Sequence, residues 1–185
     1  MTAGLLGLDR RGWPGTIVVA AMVALVAAGL PFLNGLVSAD RPLAPGAVLQ
    51  VERGVRLTAA EGWSLDVEQT DPRRRSVVIH RGALSLRITA RESNSSLDEE
   101  FQRLAAEIRD GSGAQLFNEA STFTTDSGLT GIAGSYSAPA SEGRFAVLRS
   151  GDTVVRVVAR GLPDAMADGL DDVNAMVQSL RIGTP

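Results

Sequence analysis

The stretch "SVVIHRGALSLRITAR", residues 76–91, decides the fold. In its second half Leu84, Leu86, Ile88 and Ala90 alternate with Ser85, Arg87 and Thr89, the period-two pattern of a strand with one dry face and one wet face. Its first half, residues 76–80, is a shorter apolar run, and "HRGA" at residues 80–83 places a glycine between the two. Two strands joined by so short a glycine-containing turn form an antiparallel hairpin. The rest of the chain has to be arranged around an antiparallel sheet.

Upstream, short strands are predicted at residues 48–51, 55–58 and 64–68. Downstream a helix begins with clear signals. Ser96 and Glu99 are spaced as a capping box, Asp98 and Glu100 suit the positive end of the helix dipole, and Leu97, Phe101, Leu104, Ala105 and Ile108 form one apolar stripe. "DGSG" at residues 110–113 ends it. Strands then resume at residues 121–125, 129–136, 143–149 and 153–160. The last carries Val154, Val155, Val157 and Val158, too continuous a run for a half-solvated strand, and is predicted to be central and covered on both faces. "GLTGIAGS" at residues 128–135 reads as a strand with close backbone packing, because a phosphate loop would need a lysine and a following helix. Pro163 and Asp164 open a closing helix, whose stripe is expected at Met166, Leu170, Val173, Val177 and Leu180. This order predicts an α+β domain, an antiparallel sheet with two packed helices.

The amino-terminal part is of a different kind. From Thr16 to Val37 there are 22 residues without a charge, long enough as a helix to span a hydrocarbon core, with Arg10, Arg11 and Trp13 before them. The expected organisation is a tail over 1–15, a transmembrane anchor or signal-anchor over 16–38, a linker over 39–47 containing "RPLAPG", and a folded domain over 48–182. A short tail before a leader-like segment directs the downstream domain to the outside. The expectation is therefore a single-pass plasma-membrane protein whose carboxy-terminal domain is extracytoplasmic, with the bilayer contacted through 16–38. The alternative is a secreted protein, since Val37-Ser38-Ala39 offers small residues for cleavage before Asp40.

Composition narrows the chemistry. All 18 basic residues are arginine, which reads as the codon bias of a GC-rich, bacterial genome. Residues 42–185 hold 15 arginines against 19 acidic residues, so the domain has no general attraction for nucleic acid. The absence of cysteine excludes disulfides, thiolate catalysis, Cys-ligated zinc and a lipid-modified amino-terminal cysteine.

"EGW" at residues 61–63 just after an apolar strand, a helix in mid-chain and a closing helix ending "VQSLRI" at residues 177–182 together resemble the PsbP-like fold family. That family includes lumenal photosystem II proteins, a Ran-binding nuclear protein, and envelope proteins and lipoproteins of high-GC bacteria. The resemblance implies a PsbP-like α/β sandwich and a non-catalytic role in binding partners, stabilising complexes or assisting envelope transport. It carries over no functional residue, because the matching positions are structural. The expected function is a membrane-anchored binding or scaffold module of a cell envelope, its partner an envelope membrane protein. The alternative is an accessory factor for envelope lipid transport, which would need an apolar cleft.

Candidate site residues are few. His80 is the single histidine, and no Gly-x-Ser-x-Gly elbow exists to expose a nucleophile beside it. It reads as a partly exposed hairpin residue. "DGLDD" at residues 168–172 lacks the spacing of a calcium loop and puts its acids on the solvent face of a helix. No catalytic residue, metal ligand or cofactor is expected. Arg73, Arg74 and Arg75, between two strands, are candidates for contact with headgroups or an acidic partner, the alternative being a solvated hairpin tip. Trp63 reads as core packing, with the wall of a ligand pocket as the alternative.

Overall fold

The computed structural model describes residues 40–183 except 72 and 74, without the side chains of 118 and 119. The expected tail, the anchor over 16–38, the cleavage position after Ala39 and Arg74 lie outside the described residues. Among the described residues no helix is long and apolar enough to cross a membrane.

Among the described residues eleven strands and two helices follow one another. They are β1 (Asp40–Pro42), β2 (Val48–Gln50), β3 (Val55–Thr58), β4 (Ser64–Asp66), β5 (Ser76–Arg81), β6 (Leu84–Glu92), α1 (Leu97–Ser112), β7 (Gln115–Thr124), β8 (Thr130–Ala138), β9 (Ser141–Ser150), β10 (Thr153–Gly161), α2 (Pro163–Gln178) and β11 (Arg181–Ile182). An eight-stranded sheet runs in the order β1-β4-β5-β6-β10-β9-β8-β7, and a small sheet runs β11-β3-β2. Every pairing is antiparallel. The α+β reading holds, and the 76–91 hairpin is the β5-β6 pair, with Val77 opposite Ile88 and Ile79 opposite Leu86.

The sheet has two dry faces. Leu86, Ile88, Ala146, Leu148, Val155 and Val157 meet α2 and the small sheet on one side. Ile132, Phe145, Val147 and Val154 meet Phe101 and Leu104 of α1 on the other. That is why β10 carries a pair of valines on each side of Arg156: it supplies both cores, lies between β6 and β9 and is covered on both faces, as its valine run predicts.

α1 starts where its sequence says. Ser96 Oγ accepts from Glu99 N at 3.2 Å while Ser96 N donates to Glu99 Oε2 at 2.8 Å, and Gly113 closes the helix in the left-handed region at φ 62°. The close-packed strand holds too: a Cβ on Gly131 would meet the Phe123 ring at 2.7 Å, and one on Gly134 the Phe145 ring at 2.8 Å.

Three expectations need correction. Asp40–Pro42, inside the stretch read as a linker, pairs with β4 as an edge strand, because an edge tolerates the missing N–H of a proline. β7 begins at Gln115, ahead of the expected 121, since an edge strand need not show apolar alternation. The buried stripe of α2 is Met166, Gly169, Val173 and Met176, with Leu170 and Val177 half-buried at its flanks. Gly169 is what rotates the helix, for a Cβ there would run into Leu84 of β6.

Candidate functional site

The largest charged assembly among the described residues centres on a buried carboxylate. Glu100, in the first turn of α1, is fully buried. Its carboxylate accepts from Ser93 Oγ at 2.7 Å, Arg103 Nη1 at 2.6 Å and Arg156 Nη2 at 2.8 Å, and from Arg91. Arg156 also reaches Glu107 at 2.9 Å. Burial pushes the Glu100 carboxyl up, but the hydrogen bonds from Ser93, Arg156 and Arg91 outweigh it and hold the group down at about 2. The residue read as suiting the helix dipole is thus also the hub that ties α1 to β6 and β10. A second cluster joins α2 to the sheet: Asp172 pairs with Arg81 and lies 3.4 Å from Trp63 Nε1, with the Arg81 guanidinium 5.8 Å above the indole. Asp172 therefore leaves the solvent face assigned to it. Both clusters hold elements together: the first joins α1 to β6 and β10, the second α2 to β5.

The single histidine has a similar place. His80 Nε2 lies 2.9 Å from Asp40 Oδ1, joining β5 to the edge strand β1. Trp63 is 1% exposed and packs in the core with Val55 and Leu57. In the arginine loop, Asp71 Oδ1 accepts from Arg73 N at 2.7 Å and Asp71 Oδ2 from Arg75 Nε at 3.3 Å, so the loop is fixed by its own aspartate. Arg73 and Arg75 are exposed. Among the described residues no group of three or more histidine, cysteine or acidic side chains is placed to hold a metal ion.

One feature carries no signal in the sequence: a cleft of about 190 Å³ beside α2. Its floor is Ala133, Ala146 and Ala159, on β8, β9 and β10. Ala133 stands opposite Ala146, Val157 continues that row, and Ala159 lies two residues along β10, opposite Arg144. Phe123, Val173 and Val177 form apolar walls, Ser121, Asn174 and Gln178 add polar groups, and Arg144 is the one charged lining residue among the described side chains. Trp63 is not among the lining residues, so it walls no part of this cleft. Space remains here because α2 packs on β6, β9 and β10 while the outer strands β7 and β8 extend past it. Each alanine is ordinary in sequence. Their meeting depends on strand register, which a single sequence does not print.

The fold is PsbP-like. Cyanobacterial PsbP (CyanoP) from Synechocystis sp. PCC 6803 superimposes with a TM-score of 0.56 at 13% identity, covering 76% of this chain and 95% of that one. LpqN of Mycobacterium tuberculosis, described as involved in cell envelope biogenesis, matches with a TM-score of 0.39 at 20% identity, over 79% of this chain and 91% of its own. A Pseudomonas aeruginosa protein of unknown function matches with a TM-score of 0.47 at 10% identity, over 77% and 99%. No family model matches the sequence, and no curated protein matches it. The likeness is one of fold.

Proposed function

We propose that the chain is a non-catalytic, extracytoplasmic binding module of a bacterial cell envelope, tethered to the plasma membrane by residues 16–38 and serving an envelope membrane protein. The observation that carries this reading is the uncharged run of 22 residues directly ahead of a folded domain. A run of that length buries far more apolar surface in a bilayer than a peripheral contact does. The non-catalytic part is supported by the use made of the buried carboxylate Glu100, which is locked among arginines. Exposed Arg73 and Arg75, with Arg74 between them in sequence, are the proposed contact with an acidic partner or headgroups.

Fractionation and amino-terminal sequencing together test the tether. The expected result is the uncleaved chain in the membrane pellet after a carbonate wash. Recovery of a protein beginning at Asp40 from the medium overturns it in favour of secretion.

A further inference from the structure

We propose that the cleft beside α2 is a binding site for one single-chain amphiphile, its alkyl chain on the alanine floor and its anionic head on Arg144. This goes beyond the tethered-module reading and does not depend on it. The volume sets the first limit. At about 190 Å³ the cleft exceeds an apolar cavity of ~150 Å³ that stays dry and accepts benzene, yet it is well below the several hundred Å³ of a drug-sized pocket. A single short alkyl segment fits that interval, and paired acyl chains do not.

The chemistry of the lining sets the second limit. Phe123, Val173, Val177 and the alanine methyls offer an alkyl chain apolar contact, while Ser121, Asn174 and Gln178 complete the lining with polar groups suited to the head end of an amphiphile. Arg144 then selects the head. It is exposed and has no hydrogen bond or ion pair among the described residues, whereas Arg81, Arg91, Arg103 and Arg156 are all spent on carboxylates. A guanidinium without a partner among the described residues, beside a mainly apolar lining, complements a carboxylate or a phosphate, and both accept its paired N–H groups.

The test uses the full-length chain reconstituted in lipid nanodiscs. Three photoactivatable probes carry the reactive group at the end of the same alkyl chain: an octanoate, an octyl phosphate and a neutral octanol. Crosslinked peptides are mapped by mass spectrometry. Expected are adducts at Phe123 or Val177, lowered about fivefold by Arg144→Gln for the anionic probes and unchanged for octanol. Ala133→Leu, which fills the floor, should remove the adducts of all three. Because that variant can perturb packing, the exposed Arg144→Gln variant, checked for an unchanged melting temperature, carries the decision alone if needed. Adducts with octanoate only identify a free acid as the ligand class, and with octyl phosphate only a phosphate-headed single-chain lipid. Adducts confined to the apolar leader, or equal anionic-probe yields in wild type and Arg144→Gln, overturn the proposal.

Discussion

Glu100 shows how a residue can be legible by position and illegible by role. Its place in the first turn of a capped helix invites a solvated reading, yet its side chain turns inward to Arg91, Arg103 and Arg156. Arg103 is one helical turn away and Arg91 nine residues upstream, but Arg156 is 56 residues off on β10, so only the folded chain brings it to the carboxylate. Stability should follow the carboxyl. With the folded group held at about 2 against an ordinary 4.5, its contribution is complete above pH ~4.5 and is lost as pH falls toward 2. Urea midpoints should therefore drop over that window. Glu100→Gln should cost roughly 3 kcal/mol at neutral pH, because three guanidinium groups lose their shared partner. The gap between variant and wild type should narrow as pH falls through the window; a constant gap would contradict the assignment.

Among the elements, α2 separates what hydropathy can and cannot phase. Large apolar residues at 166, 170, 173 and 177 suggest one stripe, while the helix buries 166, 169, 173 and 176. The shift is small, and its cause is a residue that hydropathy scores low: Gly169 faces Leu84, and its missing side chain lets the helix approach β6. Val173 is 3% exposed and Leu170 is half-buried. Val173→Asp should accordingly cost more than ~3 kcal/mol, since the charge can find neither water nor a partner, and Leu170→Asp less than half as much. Thermal unfolding of the two variants checks the order, and equal losses would restore the stripe centred on Leu170. Elements with simple boundaries behave differently. Ser96, Glu99 and Gly113 mark the ends of α1 by local hydrogen bonding alone, and β6 and β10 show their burial in their own side chains. β7 does not, for its polar middle belongs to an edge.

Over the whole molecule, charge is distributed so that the arginine loop stands apart from a net acidic domain. Asp71 orders the loop and takes part of the charge of Arg75, which leaves Arg73 as the exposed described cation without a side-chain partner there. Replacing Arg73, Arg74 and Arg75 together by Ser should leave stability within ~0.5 kcal/mol, because exposed side chains contribute little packing. It should weaken binding of the reconstituted chain to anionic liposomes, most strongly at low salt where screening is least. Superimposable binding curves across a salt series would make the loop an ordinary solvated turn. Sequence by itself determined the fold class, the capped helix, the doubly covered β10 and the close-packed glycine strand, because each rests on periodicity or hydrogen bonding among neighbours in the chain. Tertiary structure alone decided that Asp40–Pro42 joins the sheet, that Glu100 is buried, that α2 turns on Gly169, and that Ala133, Ala146 and Ala159 line one cleft with Arg144. Each of those depends on which strands pair and in which register, and register is fixed by packing energies summed over the whole sheet.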